Sequence, residues 1–329
     1  MQLIMVSQTP SGDERARLLN ENDGRFLLRP RGLSATGDPI DTEQTVTSIT
    51  KALSAATGWE EALALAADPE VTLVTSNVSE SGFTLASPFP GRIAQWLKAR
   101  WQSGLPGVTV LPCELIEGNG SKLRQMIGEV ESAPAFLAWL DSACAFCDTL
   151  VDRICTQEDT EPLTAIVEPY CFWAVAGKNS GALGVLAAAS TGALLLTDVL
   201  PRYMLRKLRL LNALHTAMAS IGPVEYGVET VREALEHPEL GPFLEELLFE
   251  ELLPTVCPPL ERADAEGYAK VTLSRMRNPF LVHRLSAISV GAATKWETRL
   301  LPAMVEYEKR FGEAPTRITH CRQVFLNQN

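Results

Sequence analysis

The hydrophobic pattern of this chain changes near residue 199, and that change constrains the fold more than any other feature. Upstream, short β-branched runs alternate with helical stretches. Residues 71–77, Val-Thr-Leu-Val-Thr-Ser-Asn, are one such run, and residues 108–115, Val-Thr-Val-Leu-Pro-Cys-Glu-Leu, are another. Each leads into a polar loop, the form of a buried parallel strand with a functional loop at its carboxyl end. Residues 3–6 read as a further strand, and 59–67 and 92–102 read as helices. Residues 8–36 read as loop with a short hairpin around Arg25, and 45–56 as another strand and a turn. Asn119 and Gly120 read as a turn, with Ser121 capping a helix that runs to Val130. Residues 134–150 read as two nearly merged helices. From about Met204 onward apolar residues recur at spacings of three and four, and β-branched runs become rare. The expected fold class is α/β: a mostly parallel sheet domain over residues 1–198, then an all-helical domain over 199–329. A length of 329 residues suits two domains.

Charge and cysteine content narrow the function. Lys and Arg total 29 against 40 Asp and Glu, a net charge of -11, which disfavours a nucleic-acid partner. No run approaches 18 uncharged apolar residues, so no membrane partner is expected. The start has neither a basic segment nor a long apolar core, so no signal peptide is read. Seven cysteines, an odd number, suit reduced thiols in a cytoplasmic protein. Cys144 and Cys147 form a Cys-x-x-Cys in a stretch that reads as helix. A zinc site would need two more ligands at recognisable spacing, and neither neighbouring region offers a histidine. Buried structural thiols, and no metal, are expected.

The most informative helix runs from Pro201 to Met218. With Lys207 at 0° on a helical wheel, Asn212 falls at about 140° and His215 at about 80°. The three share one broad face with Leu208 and Leu211. A lysine, an amide and an imidazole beside apolar side chains suit a polarised carbonyl or alkoxide. The lysine exchanges a proton if desolvation lowers its pKa, and the amide donates to a developing oxyanion. The same spacing also suits a basic helix facing an acidic neighbour, with Arg202, Arg206, Lys207 and Arg209 as solvated charges.

Lys207-x4-Asn212-x2-His215-Thr resembles the active-site helix of the polyol-specific long-chain dehydrogenases, the mannitol dehydrogenase family, in particular its tagaturonate reductase (altronate oxidoreductase) branch. Other segments match in the same order. Residues 74–82, Val-Thr-Ser-Asn-Val-Ser-Glu-Ser-Gly, are similar to the loop that family places near the nicotinamide. Residues 111–120, Leu-Pro-Cys-Glu-Leu-Ile-Glu-Gly-Asn-Gly, resemble the branch's own signature. Residues 146–153, ending Leu-Val-Asp-Arg, resemble its substrate-side segment, and Glu168 opens a matching Glu-Pro-Tyr-Cys-Phe-Trp. Residues 277–283 and 295–299 resemble helices of the C-terminal domain.

The resemblance implies a partial Rossmann-like domain and a metal-independent hydride transfer with NAD as cofactor, interconverting a keto sugar acid and its hydroxy acid. It makes Lys207 the general acid and base, Asn212 the group that polarises the carbonyl, and His215 the group that orients the substrate oxygens. Asp152, Arg153, His283 and Lys295 become candidates for the remaining hydroxyls or the carboxylate, and Ser76, Asn77, Glu80 and Asn119 for the cofactor. Leu115 stands where the sugar-alcohol members carry an asparagine, which favours a uronate over mannitol. The family opens with a glycine-rich turn that holds the pyrophosphate. No Gly-x-Gly-x-x-Gly occurs in this sequence. The expectation is a chain that begins after that unit and stops before the family's last helices. Two alternatives follow: a non-catalytic protein that binds a sugar acid or a protein partner, and an enzyme of the mannitol or fructuronate reductase type. Oligomeric state stays open.

Overall fold

The computed structural model describes residues 2–34, 38–156, 161–178, 181–190 and 192–328. The N-terminal half is α/β and the C-terminal half is helical. Strand β1 (Leu3–Ser7) pairs in parallel with β5 (Ile49–Ser54). A second parallel sheet has the order β6 (Leu73–Ser76), β7 (Thr109–Pro112) and β8 (Ala145–Phe146), with Val74 opposite Val110 and Val110 opposite Phe146. The crossovers are α3 (Pro88–Gln102), then α4 (Asn119–Val130) and α5 (Pro134–Ala143). Their apolar faces bury Leu97, Leu123, Ile127, Phe136 and Leu140 against Val110. Burial of this kind stabilises by roughly 25 cal/mol per Å² of apolar surface.

Among the described residues the two parallel sheets do not pair with each other. They are tied at their carboxyl ends by Arg92 at the start of α3. Its guanidinium donates to the carbonyl oxygens of Gln8 and Ala55, at 3.1 and 3.0 Å. Strand β6 is therefore only half-buried, whereas Val110, Leu111 and Pro112 of β7 are buried. The expectation of a fully buried strand fits β7 and not β6, because among the described residues β6 has a strand neighbour on one flank only.

A mixed sheet joins β2 (Phe26–Leu33) to β3 (Pro39–Asp41) and β4 (Gln44–Val46), and through β11 (Thr164–Val167) to β10 (Cys155–Thr156). A third grouping is β9 (Thr149–Asp152), β12 (Phe172–Val175) and β13 (Leu194–Leu196). Three shorter helices complete this half: α1 (Asp13–Glu21), α2 (Trp59–Ala64) and α6 (Gly181–Ala189).

The C-terminal half is built round one rod. It consists of α7 (Leu200–Arg206), a π-helical turn over Lys207–Asn212, and α8 (Ala213–Ile221). Leu210, Leu214, Met218 and Ile221 are fully buried in the largest core of the chain. Around the rod pack α9 (Val231–Glu236), α10 (Leu240–Glu246), α11 (Arg262–Met276), α12 (Leu285–Ser289), α13 (Ala292–Lys295), α14 (Leu301–Phe311) and α15 (Thr316–Gln328).

Four local expectations are corrected. Residues 8–36 contain α1 and the long strand β2 rather than loop and a short hairpin. Helix α1 was hidden because it buries only Ala16 and Leu19. It is held by its charges, with Arg17 paired to Glu14 and Glu21 one turn away on either side. Ser121 is no cap: α4 already begins at Asn119, after Gly118 in the left-handed region at φ 66°. Residues 134–150 hold one helix, and the chain leaves it at Cys144 to form β8 and β9. The Cys-x-x-Cys therefore spans a helix end and a strand, and both thiols are free.

Candidate active site

Lys207 opens the π-helical turn of the rod, and Asn212 closes it. A π turn links residue i to i+5, so the fifth residue lies near the first rather than well round the wheel. This local widening brings Asn212 onto the same side of the rod as Lys207, and both line the same cavity. The angles of an unbroken α-helix do not express that placement. His215 follows on α8. Lys207, Asn212 and His215 all line one cavity of about 310 Å³.

The other wall comes from the N-terminal half. Strand β9 ends in Asp152, which with Arg153 lines the same cavity. Lys207 Nζ donates to the Val151 carbonyl oxygen at 2.6 Å and lies 3.9 Å from Asp152 Oδ1. Burial pushes the Lys207 amine below its ordinary range. Asp152 opposes that shift, while Arg275 and Arg299 reinforce it.

Asp152 is itself committed. Its Oδ2 accepts from Tyr268 Oη at 2.8 Å and Arg275 Nη1 at 3.1 Å, and its Oδ1 from Arg275 Nη2 at 2.9 Å. Burial alone would raise its carboxyl, but the Arg275 hydrogen bonds and charge outweigh burial and hold it below the usual carboxylate range. Arg275 also grips Glu168, through Nε at 2.9 Å and Nη2 at 2.7 Å. Glu168 accepts from the Ile154 amide at 2.6 Å, and its carbonyl oxygen accepts from Arg153 Nε at 3.0 Å. The strand end that carries Asp152 is thus locked to helix α11 by a buried, hydrogen-bonded ion cluster. Such clusters specify geometry more than they add stability.

Three cavity nitrogens lack partners among the described residues: Asn212 Nδ2, His215 Nε2 and His283 Nδ1 are buried and make no hydrogen bond. His215 packs edge-on against His283, ring centres 4.8 Å apart. Burial, then the neighbouring His283, pushes the His215 imidazole well below its ordinary range, and burial lowers His283 too. Both rings are neutral at pH 7, so each offers one donor and one acceptor. Lys295 lies on the far wall, with Nζ donating to the Ile288 carbonyl oxygen at 2.8 Å. Buried polar groups without partners in a pocket mark where a polar ligand sits.

All seven residues expected to act in catalysis or substrate binding therefore line this one cavity. Ser76, Asn77, Glu80 and Asn119 do not. Ser76 ends β6, and Asn77 and Glu80 lie exposed on the loop beyond it. That loop is braced by the buried Glu114, whose carboxylate accepts from Ser76 Oγ at 3.1 Å and the Val78 amide at 2.9 Å. Glu80 reaches back to within 3.8 Å of Arg299 in the cavity wall. Asn119 is fully buried. Its amide donates to the carbonyl oxygens of Pro112, Glu114 and Thr149 and accepts from the amides of Gly120 and Thr149. No capacity remains for a ligand, so Asn119 belongs to the frame beneath the loop. Sequence reasoning passed over Arg275, Tyr268 and Arg299. Arg275 and Arg299 carry the faint signal of a basic residue amid the apolar side of a helix. Among the described residues no group of three or more His, Cys, Asp or Glu side chains can hold a metal ion.

Residues 36–187 match the family profile described as "Mannitol dehydrogenase Rossmann domain", and residues 198–322 match "Mannitol dehydrogenase C-terminal domain". The altronate oxidoreductase of Bacillus subtilis is 31% identical over 96% of this chain and 71% of its own length. That of Halalkalibacterium halodurans is 32% identical over 99% and 68%. Among solved structures, Pseudomonas fluorescens mannitol 2-dehydrogenase, in ternary complex with NAD and D-mannitol, superposes with a TM-score of 0.82 at 19% identity. The superposition covers 98% of this chain and 72% of that one. Substrate-free D-sorbitol dehydrogenase gives 0.78 at 18% identity, covering 99% and 74%.

Proposed function

This chain belongs to the mannitol dehydrogenase family, and from that membership we propose that it is an NAD-dependent oxidoreductase interconverting a keto sugar acid and its hydroxy acid, of the tagaturonate and altronate type. One observation carries the reading. A buried lysine with a depressed pKa, an unpartnered amide donor and an unpartnered neutral imidazole face one cavity of sugar size.

In reduction Lys207, as the ammonium, gives its proton to the substrate's carbonyl oxygen. In oxidation the neutral amine takes that proton from the hydroxyl. Val151 aims the amine through its carbonyl oxygen, and Asp152 supplies a nearby negative charge. Asp152 is held ionised by Arg275 and therefore serves as neighbour rather than proton donor. Asn212 Nδ2 donates to the oxygen on which negative charge develops, and stabilises it without reorganisation. His215, neutral and buried, orients an adjacent hydroxyl. Asp152, Arg153, His283 and Lys295 are left to hold the remaining oxygens.

The residues present fit the nicotinamide end of the cofactor. The loop after β6 stands at the carboxyl edge of the parallel strands, where doubly wound folds take their dinucleotides, and its Glu80 approaches the cavity. Ser76, Asn77 and Glu80 would border the nicotinamide, which when bound supplies or accepts the hydride.

The test is steady-state turnover of tagaturonate with NADH. Lys207→Ala should lower the rate by about 10²–10⁴ while substrate binding changes far less. A loss below about threefold would remove Lys207 from proton transfer. A folded protein that binds the sugar acid but neither NADH nor turns over would favour the non-catalytic reading instead.

A further inference from the structure

Two arginines near the cavity are buried to a similar degree and treated in opposite ways. Arg275, side chain 5% exposed, is matched by two carboxylates. Arg299, on the π-helical turn Trp296–Leu300, is 9% exposed, and its guanidinium makes no hydrogen bond among the described residues. Its nearest carboxylate is Glu80 at 3.8 Å, half-exposed on the loop beyond β6. A guanidinium carries five donors in a planar fork, and a buried charge is normally paired and hydrogen-bonded. Burial indeed works against the charged form of Arg299, with Glu80 opposing.

The surrounding charge points the same way. Arg153, Lys207, Lys295 and Arg299 line the cavity, and the one acid that lines it among the described residues, Asp152, is already matched by Arg275. Lys295 sits on the same helical stretch, four residues before Arg299, close enough for the two cations to repel. The cavity holds an excess of positive charge and a free planar fork, the arrangement that receives a carboxylate in bidentate fashion.

We propose that Arg299 is the seat of the substrate's carboxylate, and that Glu80 is its resident counter-ion, displaced when a sugar acid enters. The inference rests on reading this cavity as a sugar-acid site. It makes Arg299 the residue that selects acids over neutral sugars.

Calorimetric titration of the whole chain with altronate and with the corresponding neutral alditol tests it, without nucleotide and again with excess NADH. The unaltered protein should prefer the acid by roughly 100-fold, as a buried charge pair implies. Arg299→Gln should bring that preference within about threefold, and Arg299→Lys should restore part of it. Glu80→Gln should tighten altronate severalfold in the titration without nucleotide. A preference that survives in Arg299→Gln overturns the seat, even where the protein reduces tagaturonate. So does an Arg299→Gln variant that loses only NADH, since the fork would then serve the nucleotide. Altronate binding unaffected by Glu80→Gln overturns the displacement. An acid preference that depends on Arg299 in a protein without turnover upholds the seat while the dehydrogenase reading fails.

Discussion

Lys207 has two opposed influences on its amine, and they can be separated by mutation. Burial and the charges of Arg275 and Arg299 lower its pKa, while Asp152 and Glu168 raise it. Oxidation needs the neutral amine, so its rate climbs as pH rises through that pKa, below the ordinary lysine range. Asp152→Asn removes one raising charge and leaves Arg275 less neutralised. Both changes act in the same direction, so the ascending limb of altronate oxidation should move to lower pH. A limb that stays in place or moves upward in the measured profile would show that Asp152 does not tune this lysine. The lysine, amide and imidazole could be picked out in the sequence because they lie within nine residues in a motif that resembles the family's active-site helix. Arg275 and Arg299 left only a faint signal. A basic residue on a helix reads the same whether it meets water, a carboxylate or a ligand, and Arg275 meets partners 107 and 123 positions away.

At the scale of elements, Asn119 shows how one side chain can hold several together. Its five hydrogen bonds join the end of β7, the Glu114 turn, the start of α4 and the start of β9. Asn119→Ala should destabilise the protein by about 3 kcal/mol, because several buried backbone groups lose their partners at once. Denaturant unfolding measures that loss. If stability is unchanged and only NADH affinity falls, Asn119 is a cofactor ligand after all. Element type was legible where periodicity was strong, as in α3, β7 and the rod. It failed for α1, where i,i+3 and i,i+4 ion pairs replace a wide apolar stripe. It failed again at Cys144, where an apolar helix runs into an apolar strand without a glycine or proline between them.

At the scale of the molecule, the cavity lies where the two halves meet. Arg275 and Tyr268 of α11 hold Asp152 of β9, and Asn278 Nδ2 donates to the Arg31 carbonyl oxygen of β2 at 2.8 Å. The neutral pair His215 and His283 gives this assembly a pH dependence with a definite sign. Both imidazoles are pushed below their ordinary range in the fold, whereas in the unfolded chain each protonates near pH 6.5. Below that pH the unfolded state binds more protons, so stability is full above about pH 6.5 and declines as pH falls. Melting temperatures between pH 7.5 and 5 should drop, and the double variant His215→Gln, His283→Gln should drop less. Equal slopes for the two proteins would mean that the acid sensitivity lies elsewhere.

The sequence by itself carried the strand–helix alternation of the first half, the helical character of the second, the ordered motifs that resemble the family, and the helix with Lys207, Asn212 and His215. These depend on local periodicity and short spacings, which the chain carries in one dimension. Tertiary structure alone decided that the two parallel sheets stay unpaired among the described residues and that Asp152 is held ionised by Arg275. It also left Arg299 as a buried charge without a hydrogen bond from its guanidinium among the described residues. Those facts depend on which groups become neighbours after desolvation, and the energy of a charge is set by its neighbours rather than by its place in the chain.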